Sequence, residues 1–199
     1  EISVHQEPGI SLSCNHPYIP QDKRNIVWRA AEAILSCSGN NVGINIKMNK
    51  KIPVGAGLGG GSSDAATTLM GLNDLLETGL TESELISIGL KLGADVPFFI
   101  FKKPAVAEGI GEKLLPLEYI PKLWLLLVNP AIHVSTSWVY QNLNLTREKV
   151  TAKLPFLFKS AADVCSILAN DLESVTIGRY PIIREIKQKL MSAGAAGTL

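Results

Sequence analysis

Pro53-Val54-Gly55-Ala56-Gly57-Leu58-Gly59-Gly60-Gly61-Ser62-Ser63 puts five glycines into the seven positions 55–61. Ahead of it Val42, Ile44, Ile46 and Met48 alternate with Gly43, Asn45 and Lys47. That period of two predicts a half-buried strand. Behind it Ala65, Leu69, Leu72 and Leu76 recur at helical spacing. The stretch is therefore a loop that leaves a strand and opens a helix. Glycines remove the side chains that would keep a polyanion off the backbone, and they permit the left-handed conformations that turn successive N–H groups into one concavity. The helix that follows adds a partial positive charge of roughly +0.5 at its N-terminus. The product is an anion cradle, and Ser62 and Ser63 stand where they can cap the helix, meet a phosphate oxygen or reach Mg²⁺. The plain alternative is a glycine-rich connection that only turns the chain.

Gly55, Gly57 and Gly60 satisfy the dinucleotide spacing G-x-G-x-x-G. That fingerprint needs an apolar strand running into its first glycine and an acidic residue ending the next strand. Here Lys50, Lys51 and Pro53 precede the loop, and Glu77 falls at a helix end. A Walker A loop is excluded, because no lysine follows Gly60 or Gly61 before the serines.

Further out, Ile10 and Leu12 predict a short strand, and Asp22–Asn25 supplies caps for a helix carrying Val27, Ala30, Ala31, Ile34 and Leu35. Gly39-Asn40-Asn41 ends it. Thr81 and Glu84 have capping-box spacing before Leu85, Ile88 and Leu92. Val96–Phe101 reads as extended, with Pro97 at a strand entry, and Leu123–Val128 as a buried strand. Ser135 caps a short helix through Tyr140, Ala161–Ala169 reads as helical, and Pro181 opens a last helix that Gly194 stops. Helices and strands mix without a regular alternation, which points to an α+β protein. The Gly- and Pro-containing stretch before Leu123 suggests a boundary near Glu118–Lys122, dividing the chain into domains 1–118 and 119–199.

With 46% hydrophobic and 19% charged residues, a packed core is expected. A formal net charge of +1 gives no basic surplus for nucleic acid. Cys14, Cys37 and Cys165 are too far apart for a zinc site and read as reduced thiols. His5, His16 and His133 are equally scattered. The apolar run Leu123–Val128 falls far short of the ~20 residues that span a bilayer. The other segment with chemical content is Gly93-Ala94-Asp95-Val96-Pro97-Phe98-Phe99. A carboxylate among apolar neighbours needs a partner if it is buried. A turn or helix-end Asp is the commoner reading of such a residue. Downstream of an anion cradle it gains another, because a kinase needs a carboxylate to orient the acceptor hydroxyl or take its proton.

On these two motifs the chain closely resembles the superfamily of galactokinase, homoserine kinase, mevalonate kinase and phosphomevalonate kinase. The tripled glycine before Ser62-Ser63, the Gly93–Pro97 block and Ala107-Glu108-Gly109-Ile110-Gly111-Glu112 narrow the resemblance. Asn170-Asp171-Leu172-Glu173 and Arg179-Tyr180-Pro181 narrow it further. They point to the branch that phosphorylates a cytidine-diphosphate conjugate of methylerythritol for non-mevalonate isoprenoid (terpenoid) biosynthesis. The resemblance runs over nearly the whole chain.

It implies a two-domain small-molecule kinase fold, with an N-terminal ATP-binding domain and with ATP and substrate in the cleft between the domains. It implies that Pro53, Val54, Gly55, Ala56, Gly57, Leu58, Gly59, Gly60, Gly61, Ser62 and Ser63 wrap the ATP phosphates. Asp95 becomes the catalytic carboxylate on a tertiary hydroxyl, Thr136 a substrate contact and Ser63 the Mg²⁺ contact. Lys50 reads either as a neighbour of the nucleotide base or as a solvated lysine. The cofactors implied are ATP and Mg²⁺, and the partner is the small-molecule substrate, with no nucleic acid and no membrane. Monomer and homodimer stay open. The location implied is the cytoplasm of a bacterium, with a plastid version left open.

Two departures stand out. Asp64 occupies a position where this family often has Asn, and a carboxylate near a triphosphate is repulsive unless it points away or meets a cation. The family's opening segment, with a catalytic lysine and a Tyr-His pair, and its last glycine-rich motif are not in these 199 residues. A copy truncated at both ends, and impaired by itself, is the expectation that follows. The rivals are a superfamily kinase for homoserine or mevalonate, a nucleotide-binding module without turnover, and a dinucleotide-dependent oxidoreductase.

Overall fold

The computed structural model describes residues 1–143 and 155–199. The chain divides into two compact units, Glu1–Pro116 and Leu117–Leu199.

In the first unit, β1 (Ile2–His5), β2 (Gly9–Cys14) and β3 (Gly43–Met48) form one sheet in the order β1-β3-β2. β1 lies antiparallel to β3 and β2 parallel to it. A parallel neighbour requires a crossover, and α1 (Ile26–Ser38) supplies it between β2 and β3. Asn25 starts α1. Its side-chain oxygen accepts from the Val27 N–H at 2.9 Å, and its amide donates to the Pro20 carbonyl at 2.7 Å. Gly39, at φ 66°, ends the helix in a left-handed cap. In β3 the expected alternation is observed, with Ile44 and Ile46 buried and Asn45 and Lys47 exposed.

α2 (Gly60–Leu75) packs on α1 through Ala30, Ala31, Ala65 and Ala66, none of which is exposed. Four small side chains let the two helix axes come close, and Ile34, Leu69 and Leu72 fill the space beside them. α3 (Glu82–Leu92) opens on the expected capping box of Thr81 and Glu84. α4 (Val96–Phe101) follows at once. A Cβ on Gly89 of α3 would stand 2.8 Å from Val96 Cγ1 and 2.9 Å from Ile100 Cδ1, so glycine lets α4 seat directly on α3. β4 (Ala105–Glu108) and β5 (Lys113–Pro116) close the unit as an antiparallel hairpin around the turn Gly109–Glu112.

Val96–Phe101 is thus a helix, not the extended segment expected. A short run of apolar residues has no period that separates strand from buried helix. Pro97 sits in the first turn, where its missing N–H costs no helix bond.

The second unit holds α5 (Thr136–Gln141), α6 (Ala161–Ser166), α7 (Glu173–Arg179) and α8 (Ile182–Ser192). Ser135 caps α5 as expected, accepting from the Trp138 N–H. Leu123–Val128 is not a buried strand. It takes no regular structure, and Trp124, Leu125, Leu126 and Leu127 are 70–95% exposed. Among the described residues no strand lies beside it to complete its backbone hydrogen bonds, which is the condition for a strand to form. Among the described residues of this unit only Val139 and Phe158 are buried. No described helix is long and apolar enough to cross a membrane.

Candidate active site

The loop between β3 and α2 carries left-handed glycines at every second position. Gly55 has φ 70°, Gly57 φ 71° and Gly59 φ 64°, whereas Ala56 and Leu58 between them are not left-handed. Alternation of this kind gathers successive N–H groups on one side as an anion-binding nest. Gly59 is also the residue from which α2 starts, with no side chain to cap it. The first intrahelical bond runs from the Ser63 N–H to the Gly59 carbonyl at 2.9 Å. The N–H groups of Gly60, Gly61 and Ser62 lie ahead of it, where an anion can take them. Packing adds a second demand for glycine where α2 begins. A Cβ on Gly60 would stand 2.9 Å from Lys50 Nζ and 3.0 Å from Ile52 Cγ2.

The loop borders a cavity of about 470 Å³, completed by Arg24 and Asn25 at the start of α1, by Met48 and Lys50, and by Ser62 and Asp64 of α2. Lys50 is neither solvated nor free. Its side chain is 6% exposed, and its ammonium is paired with the Asp64 carboxylate. Asp64 therefore meets a cation, the arrangement under which a carboxylate is tolerated beside a polyanion. Arg24 on the same rim is engaged by Asp22 at 2.7 Å, and its guanidinium holds the Asp22 carboxyl down to about 2. The Ser63 hydroxyl donates back to the Gly60 carbonyl at 3.1 Å, while Ser62 lines the cavity. No group of three or more His, Cys, Asp or Glu among the described residues is placed to hold a metal ion.

Gly57, Leu58 and Gly59 also border a recess of about 310 Å³, together with Asp95, Phe98 and Phe99 of the α4 segment and Ala107 and Gly111 of the hairpin. Asp95 is the residue before α4, and its carboxylate does not cap that helix. It is exposed, not buried, and among the described residues no hydrogen bond engages it. Asp95 and the Gly57–Gly59 part of the anion cradle thus border one space. Pattern reading takes Ala107–Glu112 for a turn of diagnostic value only. In the fold it buttresses this space: a Cβ on Gly111, at φ 111°, would stand 2.9 Å from the Ala94 carbonyl oxygen. Glu112 stiffens the turn by accepting from the Ile110 N–H at 2.7 Å. Backbone N–H groups, its own and that of Ile110, hold its carboxyl below the usual range. Thr136 is the exposed first residue of α5 in the second unit, and the cap there is Ser135, which leaves the Thr136 hydroxyl uncommitted to that role.

Residues 25–103 match the model of the GHMP kinases N terminal domain. All 199 residues align at 58% identity with the 4-diphosphocytidyl-2-C-methyl-D-erythritol kinase of Geobacter sp. (strain M21), covering 71% of that protein. The chain belongs to the 4-diphosphocytidyl-2-C-methyl-D-erythritol kinase family. The family member of Geobacter sulfurreducens is 56% identical over the same 199 residues, again across 71% of its length. Among solved structures, a crystal structure of 4-(cytidine 5'-diphospho)-2C-methyl-D-erythritol kinase superposes with a TM-score of 0.74 at 30% identity. It covers 99% of this chain and 74% of that one. Homoserine kinase from Cytophaga hutchinsonii superposes at 0.72 with 17% identity, over 98% of this chain and 70% of its own, a likeness of fold alone. The mixed α+β architecture is that of these kinases, which take their phosphate from ATP. For a member of the 4-diphosphocytidyl-2-C-methyl-D-erythritol kinase family, the oxidoreductase reading of the glycine spacing falls away.

Proposed function

We propose that this protein transfers the γ-phosphate of ATP to the 2-hydroxyl of 4-diphosphocytidyl-2-C-methyl-D-erythritol, a step of non-mevalonate isoprenoid biosynthesis. The observation that carries the reading is one shared space: an uncommitted Asp95 carboxylate opens onto the same recess as Gly57–Gly59 of the anion cradle. Residues 53–63 wrap the phosphates, with backbone N–H groups between Gly55 and Ser62 meeting them, as part of an ATP-binding domain at 1–118. Asp95 orients the acceptor hydroxyl and takes its proton as the oxygen bonds to the γ-phosphorus. The bond from that phosphorus to the bridging oxygen breaks, and ADP leaves with the electron pair. Positioning and preorganised charge supply most of the acceleration. Mg²⁺ neutralises developing phosphate charge when it arrives with ATP. Ser63 is its proposed contact, with the cavity-lining Ser62 as the neighbour that substitution must compare. Thr136 contacts the substrate from domain 119–199, and the cytoplasm is the proposed site of action.

The direct test is an acceptor panel on the full-length protein. With ATP and Mg²⁺, ADP release is expected with the cytidine-diphosphate methylerythritol and not with homoserine or mevalonate. Turnover of either of the latter two alone would keep the fold and discard the substrate.

The Lys50–Asp64 pair makes a second expectation. Asp64→Asn keeps the shape of the wall, removes a negative charge from it and frees the Lys50 ammonium. A unit charge about 4 Å away in water is worth about 1 kcal/mol, so ATP affinity should rise on the order of fivefold. Titration calorimetry reads this directly, and weaker binding would show that the pair itself is what the nucleotide needs.

A further inference from the structure

The left-handed residue that opens α2 rests on an aromatic ring. A Cβ built on Gly59 would stand 2.7 Å from Phe99 Cζ and 2.8 Å from Phe99 Cε2, so the ring lies directly against the glycine backbone. Phe99 belongs to α4, four residues after Asp95, and residues four apart share one side of a helix. α4 is itself held firmly. Val96 is fully buried, Ile100 is 2% exposed, and both press on Gly89 of α3. The Phe98 ring packs edge-to-face on Phe99, with centroids 5.6 Å apart and planes at 80°. Among the described residues no side-chain hydrogen bond fixes Asp95, and its carboxylate does not cap α4, so the seat of α4 decides where that carboxylate stands. That seat meets the phosphate loop through Phe99.

We propose that Phe99 is a positioning residue for phosphoryl transfer: its ring is the spacer that sets the separation between Asp95 and the phosphate loop at Gly59. The inference rests on the reading of the loop and of Asp95 given above. A flat ring with two side-chain torsions is a stiff spacer, and a misplacement of about 1 Å between reacting groups costs on the order of a hundredfold in rate. The ring also works in the other direction. It closes the space a side chain at position 59 would need, and so reserves for glycine the left-handed turn that aims the loop's N–H groups.

The test is a double-substitution cycle of Gly59→Ala and Phe99→Ala, read both as ATP dissociation constant and as kcat with the acceptor, with Phe99→Leu as the conservative variant. Phe99→Ala is expected to lower kcat about tenfold or more while weakening ATP by a smaller factor, with Phe99→Leu between it and the wild type. Gly59→Ala should cost at least about fivefold less ATP affinity in the Phe99→Ala background than alone, because the vacated ring space accepts the new methyl group. Independent factors in the cycle would overturn the proposal. So would a folded Phe99→Ala protein with unchanged kcat and ATP affinity. Should the wild type bind ATP but turn over none of the acceptor, the functional reading fails, and the affinity cycle alone decides the contact. A wild type that binds no ATP overturns both.

Discussion

Asp95→Asn is expected to lower acceptor-dependent ADP release by about 10²–10⁴-fold, the usual range for loss of a general base, with ATP binding retained. The substitution changes one oxygen to an amide and leaves the shape of the residue alone. Asp95 does not cap α4 through its side chain, and it is exposed. Neither helix stability nor a buried pair therefore depends on its charge, and the melting temperature should stay close to that of the wild type. In the proposed complex ATP meets the loop and the α2 entry through backbone groups that this change does not touch. A fall in kcat with an unchanged ATP dissociation constant and an unchanged melting curve is the signature of a group used in the chemical step. An Asp95→Asn protein that keeps its turnover would remove Asp95 from the mechanism and leave a binding site without an assigned base.

The second large effect is graded along the loop. Gly55, Gly57 and Gly59 all adopt left-handed backbone, and an L-residue pays roughly 1–2 kcal/mol for that conformation. At Gly55 and Gly57 a methyl group would meet nothing within 4 Å, so alanine there carries that strain alone. At Gly59 the same methyl would also collide with Phe99 at 2.7 Å, adding the roughly 1–3 kcal/mol typical of overpacking. Gly55→Ala and Gly57→Ala should weaken ATP by about tenfold, and Gly59→Ala on the order of a hundredfold or more. Affinities measured by titration decide the order. Equal losses at the three positions would mean that the ring moves aside at little cost.

The sequence speaks most clearly where a local rule needs no distant partner. The alternation through Ile44 and Ile46, the capping box of Thr81 and Glu84, the Ser135 cap and the loop before α2 all follow from chemistry within a few residues, and each is present in the fold. The failures share a cause. Val96–Phe101 is apolar throughout, and the helix it forms seats on Gly89 of α3, a partner the segment itself does not reveal. Leu123–Val128 has strand composition, but a strand also needs a neighbour for its N–H and C=O groups. The site divides in the same way. Loop and carboxylate are readable as motifs, whereas the pairing of Lys50 with Asp64 joins residues on either side of the loop. The buttress of Gly111 on Ala94 and the seat of Gly59 on Phe99 join segments far apart in the chain, and such contacts leave no period or spacing behind.

The nest at Gly55–Gly59 has a consequence for inhibition. A compound that engages this loop draws on main-chain N–H groups, and no point mutation other than one to proline deletes an N–H. The remaining route to resistance is to add a side chain, and at Gly59 and Gly60 that side chain strikes Phe99, Lys50 or Ile52. Escape variants at these two positions would carry the damage in the proposed nucleotide site itself, so a ligand anchored there should face a narrow set of viable mutations.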